Sequence, residues 1–196
     1  METATTLPLA PAGHDQGRAP LLTVGVVVWL ASELMFFSGL FAAYFTLRSV
    51  APEWPPPGAE LETGVSAVFT ALLVASSGSA QLAVRAVHAG RLRAFRGWLA
   101  VTLVLAAAFL ANQAHEWLTL PFSVSSHPYG SAFYVMTGFH GLHVAGGTLA
   151  MVLLLGRSAG PRFGPAEAPS VEVVSYYWHF VDVVWLAMWA TLFLIR

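Results

Sequence analysis

The stretch WLASELMFFSGLFAAYF, Trp29–Phe45, decides the class of this chain: with its apolar neighbours it is long enough to cross a membrane, yet it carries Glu33. An ionised group at mid-bilayer costs roughly 2.5–3.5 kcal/mol on insertion scales. No residue near Glu33 in the sequence can neutralise it, so the group that answers it is expected elsewhere in the fold. The whole composition agrees with a membrane setting. Hydrophobic residues make up 57% of the 196 and charged residues 10%, with a mean hydropathy of +0.67, values that a soluble domain does not have.

The chain contains no cysteine, which excludes disulfides, thiolate metal sites and iron–sulfur clusters. Any metal would fall to the seven histidines and the carboxylates. A net charge of −1 leaves no basic stripe for nucleic acid, and all nine basic residues are arginine, a pattern of GC-rich coding more than of chemistry.

Residues 1–20, METATTLPLAPAGHDQGRAP, lack the parts of a signal peptide and read as a disordered cytoplasmic tail. Five apolar runs follow, at about 21–47, 64–88, 97–118, 131–156 and 171–195. Each supplies the ~20 residues that span ~30 Å of hydrocarbon. Short polar or Pro/Gly-rich segments join them and no internal repeat is visible, so residues 21–196 are expected to form one domain, an all-α five-helix transmembrane bundle. With the N-terminus inside, Arg18, Arg85, Arg91, Arg93, Arg96, Arg157 and Arg162 fall on the inner side, against Arg48 and Arg196 outside. This asymmetry predicts N-in, C-out. Trp54, Trp98 and Trp117 near run ends read as interfacial anchors.

Helical rise turns the polar residues into a depth map. Glu33 lies ~18 Å from the inner start of the first run, His140 and His143 about 14 and 18 Å from the outer start of the fourth, and His179 and Asp182 about 12–17 Å from the inner start of the fifth. Five ionisable groups on three helices thus share the middle of the bilayer. Gln113 and Glu116 form a further pair near the outer end of the third run, beside Asn112 and His115. His140 with His143, His179 with Asp182, and Gln113 with Glu116 each stand three apart, on one side of a helix.

Two readings of these groups remain: a proton-carrying or ligand-binding network, or interhelical hydrogen bonds worth ~0.6 kcal/mol each that hold the bundle. HGLH offers two imidazoles to a metal or haem, but metalloprotease helices space their histidines i, i+4 around a glutamate, which is absent here. No catalytic triad is visible. Small residues at Ala67, Ala71, Ala75, Ser79 and Ala83, and at Gly138, Gly141, Gly146 and Gly147, predict close intramolecular helix packing. The depth map makes the first and fourth helices neighbours, with Glu33 hydrogen-bonded to an imidazole of HGLH.

Several strings resemble one family in order. Trp29–Phe45 is similar to the first helix shared by all forms of subunit III of haem–copper terminal oxidases, and four more landmarks follow. They are WPPP at Trp54–Pro57, NQAHEW around Gln113 and Glu116, YGSAFYVMTGFHGLHVAGG at Tyr129–Gly147, and SYYWHFVDVVWL at Ser175–Leu186. The resemblance covers roughly residues 21–196 and is nearest to the short bacterial form in cytochrome c oxidases with a-type haem. The seven-helix form has two further helices, forming one wall of a lipid-filled cleft.

What the resemblance implies is a subunit with no catalytic, cofactor or metal site of its own. Haem a and copper would belong to subunits I and II, and this chain would pack on subunit I in a bacterial plasma membrane. It would support proton uptake through subunit I and protect the enzyme during turnover, with bound phospholipid, and in some bacteria within a supercomplex with cytochrome bcc. Glu33 matches the carboxylate that carbodiimides modify. The same motifs would serve subunit III of a quinol oxidase or an accessory subunit of nitric oxide reductase. A stand-alone proton-coupled transporter would ordinarily add inverted repeats or broken helices.

Overall fold

A computed structural model describes residues 21–59, 61–161 and 163–195. The expected N-terminal tail lies outside them, as do Arg18, Arg162 and Arg196. The five runs are five α-helices: α1 Leu21–Val50, α2 Thr63–His88, α3 Leu92–Thr119, α4 Pro128–Arg157 and α5 Ala168–Trp189. A short 3-10 turn, Pro165–Glu167, leads into α5, and a π turn, Ala190–Leu194, ends it. All five are long and apolar enough to cross a membrane. No strand forms among the described residues, as expected where lipid cannot satisfy an open sheet edge.

Helix ends differ from the apolar runs because helices outlast the hydrocarbon. α3 begins at Leu92 and takes in Arg93 and Arg96, good helix formers that lie beyond the apolar stretch. The α2–α3 connection therefore shrinks to Ala89–Arg91. Gly90 sits there at φ +67°, with Arg91 N–H bonded to the carbonyl of Ala86 and Gly90 N–H to that of Val87. This is a Schellman stop, which needs a left-handed residue after the helix. α4 starts at Pro128, one turn before its apolar run, because His127 Nδ1 accepts the Gly130 N–H at 2.8 Å.

α2, α3, α4 and α5 close a four-helix ring in which each packs on the next, and α1 leans on the outside against α4 and α5. The α2–α5 seam is polar at its core. Ser66, Thr70 and Ser76 accept from the indole N–H groups of Trp189, Trp185 and Trp178 at 2.9, 3.0 and 2.9 Å, and Ser77 donates to Asp182 at 2.8 Å. The partners run in opposite order on the two helices, so the seam fixes an antiparallel register.

The small-residue row on α2 is only half a packing face: Ser79 and Ala83 are buried, whereas Ala71 and Ala75 are exposed. On α4, Gly147 is required. A Cβ there would lie 2.9 Å from the Trp178 ring. Of the three expected anchors, Trp98 stands 40% exposed, while Trp54 and Trp117 spend their N–H groups on Tyr44 and Thr137.

Candidate functional site: a carboxylate and imidazole between the first and fourth helices

Glu33 and His143 lie near the middle of two 30-residue helices. They meet across the α1–α4 contact, with Glu33 Oε2 3.0 Å from His143 Nε2. The other carboxylate oxygen, Oε1, accepts the indole N–H of Trp29 at 3.1 Å, one turn earlier on α1. Trp29 stacks on Tyr177 of α5 at 4.9 Å with the rings 7° apart, and Tyr177 Oη donates to the His143 carbonyl at 3.1 Å. Phe37 presents a ring 4.9 Å from the imidazole. Three helices thus orient one acid–base pair.

Hydrogen-bond chemistry fixes the proton count. His143 Nδ1 lies 2.6 Å from the Phe139 carbonyl, which can only accept, so Nδ1 carries a hydrogen. Two states then satisfy the Oε2···Nε2 contact. Either a neutral carboxyl donates to a neutral imidazole, or an imidazolium donates to a carboxylate. Both hold one exchangeable proton in the bond and no net charge, and Trp29 reserves Oε1 as an acceptor in both. This is what allows the carboxylate of Trp29–Phe45 to sit at mid-membrane. The pair is not sealed within the chain: the side chains of Glu33 and His143 keep 24% and 16% of their exposure.

The other mid-membrane residues have separate surroundings. His140, three residues before His143, is wholly buried inside the four-helix ring, stacked on Trp185 at 4.8 Å and edge-on to Phe109 at 5.9 Å. Neither of its ring nitrogens has a hydrogen-bond partner among the described residues. Positions three apart differ by about 60° around a helix, enough for α4 to turn one imidazole to α1 and the other into the ring. Asp182 is buried against Ser77, its Oδ1 without a hydrogen-bond partner among the described residues. His179 lies 3.4 Å from Gln81 Oε1 and from Ser175 Oγ. The five groups therefore divide into a bonded pair, a stacked imidazole, and two contacts on the α2–α5 seam.

At the far end of α3, Gln113 Nε2 donates to Glu116 Oε2 at 3.3 Å. Glu116 lines a recess of about 450 Å³ with Glu62, Asn112 and His115. Among the described residues no three His, Asp or Glu side chains gather as a metal site would require. Sequence reasoning missed Trp29 as a Glu33 partner, although its i, i+4 spacing was the signal for it. The Trp–hydroxyl seam was missed as well.

The profile of the family described as cytochrome c oxidase subunit III matches residues 12–195. The chain belongs to the cytochrome c oxidase subunit III family. A probable cytochrome c oxidase subunit 3 of Nocardia farcinica is 47% identical over 93% of this chain and 92% of its own length. Its counterpart in Mycobacterium tuberculosis strain H37Rv is 45% identical over the same shares, and the cytochrome c oxidase subunit 3 of Corynebacterium diphtheriae is 42% identical over 91% and 90%. As a member of the subunit III family, the chain is a multi-pass membrane subunit of a haem–copper oxidase, associated with other oxidase subunits in aerobic electron transport.

Proposed function

We propose that this chain is a non-redox core subunit of a bacterial plasma-membrane cytochrome c oxidase of the haem a type, which packs on subunit I and supports proton uptake and stability during turnover. The redox centres, haem a and copper, belong to the partner subunits in this reading. The observation that carries it is the Glu33–His143 pair: one shared proton, fixed by Trp29 and Tyr177, on a side of the bundle that the chain itself leaves open. Such a pair can hold a proton at mid-membrane without holding a charge. It is poised to buffer or orient a proton-handling neighbour, and it performs no electron transfer.

Replacing Glu33 by Gln removes the exchangeable proton and keeps the shape. The expected outcome is an assembled oxidase with unchanged haem spectra, and with faster inactivation during turnover or slower proton uptake. Wild-type turnover lifetime together with wild-type proton uptake in Glu33→Gln would sink the reading. Loss of haem from the variant would contradict the non-redox assignment. The electron donor is tested by spectra of the complex purified through a tag on this chain. Copper in subunit II with a-type haem supports cytochrome c oxidation, and b- or o-type haem without that copper supports a quinol enzyme.

A further inference from the structure

At the end of the ring opposite the α2–α3 turn, residues 120–127 join α3 to α4 and are tied back onto the first turns of α4. Tyr134 Oη lies 3.2 and 3.0 Å from the carbonyls of Trp117 and Phe122, and Ser131 Oγ donates to the Val124 carbonyl at 2.6 Å. The last tie is the imidazole at the junction. His127 has the extended backbone of an N-cap residue, and its Nδ1 accepts the Gly130 N–H at 2.8 Å. The imidazole is wedged beside the rings of Phe122 and Tyr129, with centroids 5.2 and 6.0 Å away. Gly130 leaves no slack there: a Cβ would lie 2.6 Å from the Ser123 carbonyl oxygen and 3.3 Å from His127 Cε1.

The usual cap residues, Ser, Thr, Asn and Asp, keep their acceptor oxygen across the physiological pH range. An imidazole nitrogen accepts only while it is bare, and imidazole is the side chain that changes charge between pH 5 and 8. Protonation sets two N–H groups against each other at the Gly130 contact and places a positive charge at the positive end of the α4 dipole. Pro128 has no N–H, and the Ser131 N–H is bonded to the His127 carbonyl at 3.1 Å, so the side-chain cap of this turn is the imidazole. None of the ion pairs among the described residues includes His127. The other described titratable and charged groups at this end are Tyr129 and Tyr134 of α4, His115 and Glu116 of α3, Glu62 at the start of α2, Glu53 in the α1–α2 connection, and Tyr44 and Arg48 of α1. The capped segment continues from Thr119, Leu120 and Pro121, which form one wall of the recess that holds Glu62 and Glu116. We propose that His127 is a pH-sensitive latch: neutral, it caps α4 and holds residues 120–127 in place; protonated, it releases the cap and loosens that wall of the recess.

The test is hydrogen exchange on the intact oxidase complex in detergent, where both membrane faces meet the same buffer, at pH 8 and pH 5 with the intrinsic pH dependence of exchange divided out. In wild type, protection over residues 120–131 is expected to be full at pH 8 and to fall about fivefold at pH 5, the equivalent of about 1 kcal/mol for a lost cap. His127→Asn supplies an acceptor that does not titrate, so its protection should be the same at both pH values. His127→Ala should show the low value at both. Should the alanine variant fail to assemble, the asparagine variant carries the test. His115→Gln should keep the wild-type response, which separates the latch from the imidazole in the recess. Equal protection of wild type at pH 8 and pH 5 would overturn the proposal. So would a fall in protection that persists in His127→Asn or disappears in His115→Gln, because another group would then be the one that titrates.

Discussion

The two imidazoles of HGLH illustrate how little spacing says about role. His143 is bonded through both ring nitrogens, to Glu33 and to the Phe139 carbonyl. Among the described residues, His140 has aromatic walls but no hydrogen-bond partner for either nitrogen. A buried polar group without partners costs about 1–3 kcal/mol, and an apolar replacement of similar shape relieves that cost. His140→Phe is therefore expected to leave the melting temperature of the complex unchanged or raised, with normal turnover. A large fall in turnover without loss of stability would show that His140 has a chemical duty. At the α1–α4 contact, Trp29→Phe keeps the stack on Tyr177 but deletes the N–H to Glu33 Oε1, at a cost of about 0.5–1.5 kcal/mol. Its effect on turnover lifetime should largely vanish when Glu33 is already Gln, an interaction that a double-mutant cycle measures.

Among the elements, the α2–α5 seam shows where sequence reading stops. That five helices exist, and roughly where, was legible from apolar runs alone, and so was the meeting of Glu33 with HGLH from depth counting. Which face of each helix turns inward was not. Membrane helices are apolar all round, so amphipathicity cannot point to the core, and a serine in a helix bonds its own backbone as readily as a neighbour. Ser76, for instance, donates to the Leu73 carbonyl while accepting from Trp178. Thr70→Val leaves the Trp185 N–H unpaired in a buried seam, at a cost of about 1–3 kcal/mol. Thr70→Val with Trp185→Phe should cost less than the sum of the two single changes, as read by thermal unfolding of the complex. A methyl added at Gly147 meets the Trp178 ring head-on, so Gly147→Ala should destabilise by about 1–3 kcal/mol.

For the molecule as a whole, the decisive feature is the asymmetry between the closed ring and α1. Only 6% of the most apolar window of α1 is buried by the chain, against 56% for the span that includes α5. Yet α1 holds the acid of the proton-sharing pair. Its bundle-facing side is tied down by Tyr44, whose hydroxyl donates to the Thr191 carbonyl and accepts from Trp54, and by the Trp29–Tyr177 stack. Few packed neighbours mean a low local opening energy. In the isolated subunit in detergent, α1 amides should therefore exchange hydrogen before those of α2–α5. If the partner oxidase subunits complete the packing of α1, its protection should rise in the assembled complex more than that of any ring helix. The Glu33–His143 bond should tighten with it, since excluding solvent from the open side strengthens a hydrogen bond of this kind. Equal protection of α1 in the two states would mean that lipid alone covers this helix, and that the pair acts at a protein–lipid boundary.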